Sequence, residues 1–201
     1  MRKVKSFFRR VFPPLVAAII LLPEGAYANA GVPMIFISFP FMLAALVPVI
    51  CIEALIFSRK LAISYKKALY INALSNSAST FLGFPLAWGL LFLMELITTG
   101  FSCGPGFSTV SSSIITVIVE AAWLCPHENH LYWLIPAALI ISLCVALFVS
   151  IVVEYLAVIS MFKELDRPAV RRAIIVCNMI SYTLLIMVCI FQLFREVAAR
   201  Q

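Results

Sequence analysis

Apolar residues run along this chain in long blocks, separated by short polar breaks. Four blocks, 33–57, 68–97, 131–162 and 173–194, are each at least twenty residues long and overwhelmingly apolar. At about 1.5 Å per residue, a helix of that length crosses roughly 30 Å of hydrocarbon. The predicted fold class is therefore an all-α integral membrane protein with four transmembrane helices. Pro40, Pro48, Pro85 and Pro136 lie inside or near the ends of these blocks. Each removes a backbone donor, so local kinks are expected, with neighbouring helices satisfying the freed carbonyls.

Composition agrees with the blocks. Hydrophobic residues make up 64% of the chain and charged residues 12%, against roughly 45–50% and about 25% in soluble domains. The first thirty residues differ from the rest. MRKVKSFFRR is basic, VFPPLVAAIILL is a short apolar run holding Pro13 and Pro14, and PEGAYANA ends in small residues. This is the order of a cleavable signal peptide at 1–30, with cleavage expected after Ala28 or Ala30. Residues 31–201 then form a single membrane domain.

Charge orients the blocks. Arg2, Lys3, Lys5, Arg9 and Arg10 crowd the N-terminus. Arg59, Lys60, Lys66 and Lys67 flank one break, and Lys163, Arg167, Arg171 and Arg172 flank another. The stretch from Ala68 to Phe162 has no lysine or arginine. The net charge of +6 is thus a set of orientation signals facing anionic headgroups, and no nucleic-acid partner is expected. The segment 98–130 is the difficult one, because Phe107–Leu124 is almost long enough to span. A fifth span there would put Lys163–Arg172 outside, against the positive-inside rule. Ser108, Thr109, Ser111, Ser112, Ser113, Thr116 and Glu120 also make it a poor lipid-facing helix. It reads as an interfacial or re-entrant segment on the outer face. The expected location is a bacterial-type inner membrane, multi-pass, with the mature N- and C-termini outside.

The two halves share a pattern. Glu53, Lys66-Lys67-Ala68, Asn76 and Ser79 correspond to Glu154, Arg171-Arg172-Ala173, Asn178 and Ser181. Two tandem helical hairpins of the same orientation would produce it. Glu53 and Glu154 sit within blocks, near the end expected to be cytoplasmic, and Asn76 and Asn178 reach similar depths. Together they define a candidate polar intramembrane layer for a substrate or ion, because ionisable residues at that depth are costly. The plainer alternative pairs each Glu with Arg59, Lys60 or Arg172. Asn72, Ser75, Asn76, Ser79 and Gly83 follow one helical face. Its small residues form a ladder suited to close helix packing or to lining a path, and Ser181 and Tyr182 make a shorter stripe on the fourth block.

Of six cysteines, Cys51, Cys144, Cys177 and Cys189 fall in blocks and serve as small apolar fillers. Cys103 and Cys125 share the outer segment, where a disulfide is permitted. His127, Glu128 and His130 are weak metal candidates, since a zinc or copper site needs three or four convergent ligands. Gly104-Pro105-Gly106 reads as a turn. There is no phosphate-binding loop, HExxH or GxSxG, so no catalytic residue or cofactor is expected and an enzyme is not the favoured class. The favoured reading is a small transporter, channel or permease component for an ion or small polar solute. Its partners would be the lipid bilayer and either a second copy or other membrane-protein subunits. The alternative is a non-catalytic accessory or assembly subunit of a larger membrane complex.

The orientation is directly testable. Single cysteines placed at Ser112 and at Lys163 should react with impermeant thiol reagents from opposite faces; reaction from the same face would remove this topology.

Overall fold

The computed structural model describes residues 31–100 and 102–200, so the expected signal peptide at 1–30 lies outside the described residues. In chain order, the two-residue strand β1 (Val32–Pro33) leads into α1 (Ile35–Leu61). Next come α2 (Tyr65–Ala78), a π turn (Ser79–Gly83) and α3 (Phe84–Thr99), which form one continuous rod. Then come the short α4 (Val110–Val119), β2 (Trp123–Leu124), α5 (Leu131–Met161) and α6 (Arg167–Ala198). Four helical stretches, α1, the α2–α3 rod, α5 and α6, are long and apolar enough to cross a membrane. Because a helix bonds most of its backbone groups internally, such a set fits a multi-pass membrane protein whose outer faces meet lipid. Phe36, Val47, Phe148, Phe191 and Phe194 project from those faces, each more than half exposed.

The helices run beyond the apolar blocks. α1 continues four residues past 57 through Arg59 and Lys60, and α6 starts six residues before 173, taking in Arg171 and Arg172. Basic side chains suit the last turn of α1, where the helix dipole is negative, and long stems let their charges reach water. Asp166 caps α6 by accepting from the Ala169 N–H at 3.0 Å, and Ser64 caps α2 by accepting from Lys67 N–H at 3.4 Å. Capping of this kind sets where the backbone turns, independently of hydropathy.

Proline effects are uneven. α1 passes through Pro40 and Pro48 as one helix, and Pro136 sits early in α5. Only Pro85 is accompanied by a change of winding. The π turn lies immediately before it, and the Phe84 N–H reaches back to the Ser79 carbonyl. The wider turn makes room for a residue that has no N–H and would clash with the preceding turn of a regular helix.

α5 and α6 pack along each other extensively. α1 contacts α2 and α6, and α5 also contacts α2 and α3. Lys67 and Glu164 form an ion pair at 3.1 Å, so the α1–α2 and α5–α6 connections lie side by side at one end of the bundle. Glu164 is held below the ordinary carboxylate range, first by its own backbone N–H and then by Lys67. At this basic end, Ala54, Phe57, Ile71, Val158, Val170 and Ile174 build one apolar cluster. A second cluster, including Met42, Phe84, Leu139, Leu143 and Tyr182, extends toward the other end.

That other end carries a cap. α4 has ten residues, about 15 Å of helix, which is too short to cross the bilayer. After it the chain turns into β2, which pairs antiparallel with β1 (Val32 opposite Leu124).

Candidate functional site

Between the two apolar clusters lies a layer of buried polar side chains. Glu53, Asn76, Ser79, Glu154, Asn178 and Ser181 are each at most 5% exposed. Glu53 lies eight residues before the end of α1 at Leu61, and Glu154 seven before the end of α5 at Met161. That is roughly 10–12 Å of helix on each side. Glu53 is therefore deeper than a helix ending at 57 implies, because α1 continues through its basic turn.

The hydrogen bonds cross between the two helix pairs. Asn76 Nδ2 donates to Glu53 Oε2 at 2.7 Å, and Ser181 Oγ donates to Glu53 Oε1 at 2.6 Å. Asn178 Nδ2 donates to Glu154 Oε2 at 2.8 Å, and Ser79 Oγ donates to Glu154 Oε1 at 2.8 Å. Each carboxylate takes its asparagine from the next long helix and its serine from the opposite pair. The matched Glu–Asn–Ser spacing thus acquires a job at both of its copies.

What the carboxylates lack is equally informative. Among the described residues neither forms an ion pair. Arg59, Lys60 and Arg172 are exposed at the basic end, and among the described residues none of them forms an ion pair with Glu53 or Glu154. Asn178 Oδ1 is buried without a hydrogen-bond partner. Its amide cannot simply be turned over, because Oδ1 would then face the Glu154 oxygen in place of a donor. One acceptor in this layer is therefore left without a donor.

The small-residue face divides between packing and lining. Asn72 Nδ2 bonds the Ala68 carbonyl at 2.9 Å, and Ser75 bonds the Asn72 carbonyl, so both are locally satisfied. Gly83 faces α5, and a Cβ added there would sit 3.4 Å from Val153 and 3.7 Å from Val149. Tyr182 bonds Ser150 at 2.6 Å, linking α6 to α5. A recess of about 20 Å³ opens where the four long helical stretches meet, with Asn76, Ser79, Thr80, Glu154 and Tyr182 on its polar side. Thr80 and Ser150 join this layer without being singled out by the sequence pattern. Thr80 lies next to Ser79 in the π turn, and Ser150 lies one helical turn from Glu154, a spacing that could have found it.

The cap is organised by a third carboxylate, Glu120, which is fully buried. It accepts from Gly104 N–H at 2.7 Å, from Cys125 N–H at 3.1 Å and contacts His127 Nε2 at 3.1 Å. Cys103 and Cys125 form a disulfide across the same loop. Gly104 allows a close approach here, since a Cβ would lie 3.0 Å from the Thr116 backbone, tighter than an ordinary contact. The Gly104-Pro105-Gly106 turn is therefore pressed onto α4. Glu95 of α3 accepts from Trp123 N–H at 3.0 Å, while Trp88 donates to the Ala122 carbonyl at 3.0 Å. Together these bonds tie the cap to the membrane helices.

The histidines do not form the metal set suggested by their spacing. His130 Nδ1 accepts from Trp133 and its ring packs on Phe107, while Glu128 is exposed. The ligand-type atoms that do converge belong to Cys103, Glu120, Cys125 and His127, within 4.8 Å of one another. With both sulfurs in the disulfide only two ligands remain, fewer than a structural or catalytic zinc site uses.

No family model, curated protein or solved structure matches the chain. The site must therefore be interpreted from its own chemistry.

The disulfide closes a loop of 22 residues, worth about 3 kcal/mol in the loop-entropy account. Reduction should lower the unfolding temperature, and Cys103 and Cys125 should become alkylated only after reduction. Alkylation of both in untreated protein would contradict the bridge.

Proposed function

We propose that this chain is a membrane transport component in which the Glu53–Glu154 layer carries a mobile positive charge, either a proton or a small cation. The observation behind this reading is that two carboxylates are buried in an apolar bundle with four neutral donors and, among the described residues, no cationic side chain paired to them. A carboxylate in the hydrocarbon costs roughly 3 kcal/mol even on the mildest scale. An interhelical hydrogen bond returns about 0.6 kcal/mol on average. Four such bonds fall short of two such costs, so a positive species arriving from outside the chain is favoured at the layer.

The remaining features support the same reading. The basic connections fit the cytoplasmic face, which would put the disulfide-bonded cap on the outside, where oxidation is allowed. A cleaved signal peptide at 1–30 and an inner-membrane location belong to the same reading and rest on the sequence pattern alone. The crossed Glu–Asn–Ser bonds are what two tandem, similarly oriented hairpins would build at their contact. Four helices provide few walls for a complete pathway, so the working unit is a homo-oligomer or includes another membrane subunit. The accessory-subunit alternative loses part of its motivation, because Ser75, Ser79 and Gly83 are occupied inside the chain and are not free to dock a partner.

Glu53→Gln and Glu154→Gln keep side-chain size while removing the charge. In liposomes under a pH or cation gradient, each should abolish flux while insertion and elution volume stay unchanged. Flux equal to wild type in both variants would rule out transport through this layer.

A further inference from the structure

We infer that the recess beside Glu154 binds one dehydrated monovalent alkali cation of sodium size. This deepens the transport reading of the same layer and takes its role from it. The recess offers about 20 Å³, and about 10–15 Å³ is the minimum for one water-sized body. A bare sodium ion fits; an ion with its hydration shell does not.

The ligands are the Glu154 carboxylate, which already accepts from Ser79 and Asn178, and neutral oxygens that the fold leaves uncommitted. Asn76 is 4% exposed, and its Nδ2 is fixed on Glu53, which turns its Oδ1 away from that carboxylate. Thr80 is 4% exposed, and among the described residues neither its hydroxyl nor Asn76 Oδ1 has a hydrogen-bond partner. Both residues line the recess, together with Glu154 and Tyr182. One carboxylate and several neutral oxygens match a single positive charge. Hard oxygen ligands select alkali and alkaline-earth ions over copper or zinc, and one carboxylate is a weak offer to a divalent ion. A proton on Glu154 would leave the Asn76 and Thr80 oxygens unpaired, and a water would add no charge. A sodium ion meets all of these needs.

The test uses full-length protein in detergent at constant ionic strength, with sodium, potassium or N-methylglucamine chloride as the salt. A ligand that binds the folded state raises its unfolding midpoint. Sodium should raise it saturably, potassium less and N-methylglucamine not at all. Glu154→Gln should abolish the sodium shift. Thr80→Val, which swaps a hydroxyl for a methyl, should weaken apparent sodium affinity about tenfold or more, whereas Thr80→Ser should retain it. Equal shifts with all three salts, or a sodium response unchanged in Thr80→Val, would overturn the inference. If Thr80→Val does not fold, radiolabelled sodium decides on the wild type: saturable binding resistant to excess potassium supports the site, and none overturns it. Loss of the sodium effect alongside Glu154-dependent proton flux defeats only the cation; saturable sodium binding without any flux defeats only the transport reading.

Discussion

A carboxylate is hard to keep inside a lipid-facing bundle, and this chain keeps two there with no arginine or lysine paired to them among the described residues. Glu53 and Glu154 are held by crossed bonds from Asn76, Ser181, Asn178 and Ser79. Those bonds require four helical stretches to pass within hydrogen-bonding distance at one level, which fixes their relative depth and rotation. The apolar clusters on either side only need to exclude water, and many apolar combinations could do that. The polar layer is more restrictive, because each bond needs its donor and acceptor at matched depth and facing.

The cap repeats the device at the other end. Glu120 gathers the Gly104 and Cys125 amides and His127, while Glu95 holds the Trp123 amide. In both places a buried acid collects hydrogen-bond donors away from water, side-chain donors in the inner layer and mainly backbone amides in the cap. The difference lies in the balance of donors and acceptors. Glu120 meets backbone amides and a histidine, whereas the inner layer retains the unpartnered Asn178 Oδ1. One carboxylate site is complete and structural, and the other still has an acceptor to fill.

Much of this is legible in the order of the residues alone. Apolar length locates the four long helices, because hydrophobic thickness is a strong constraint. The matched Glu–Asn–Ser spacing points to the residues that meet, since Glu53 to Asn76 and Glu154 to Asn178 span 23 and 24 positions. Helix ends are less legible: hydropathy stops at the first charges, but Arg59 and Arg171 belong to helices through dipole and capping effects that an apolar count does not see. The exchange of serines between the two pairs is not legible either, because it depends on how α1 crosses α6 and how α2 crosses α5. His127 and His130 look like a pair by spacing and both pack on the Phe107 ring, yet their polar neighbours differ: His127 Nε2 meets Glu120 and His130 Nδ1 accepts from Trp133. Pro85 announces a kink but not the π turn that precedes it, and that turn is what sets Thr80 beside Ser79 at the recess.

Infrared difference spectroscopy of the carboxyl groups, recorded on reconstituted protein as pH and salt are changed, addresses the layer most directly. If Glu53 and Glu154 hold the mobile charge, the spectra should contain carboxyl bands that respond to the exchange. Those bands should be lost in the Glu53→Gln, Glu154→Gln double variant while the amide bands remain. Carboxyl bands that persist unchanged in the folded double variant, or that never respond to either condition, would contradict the account.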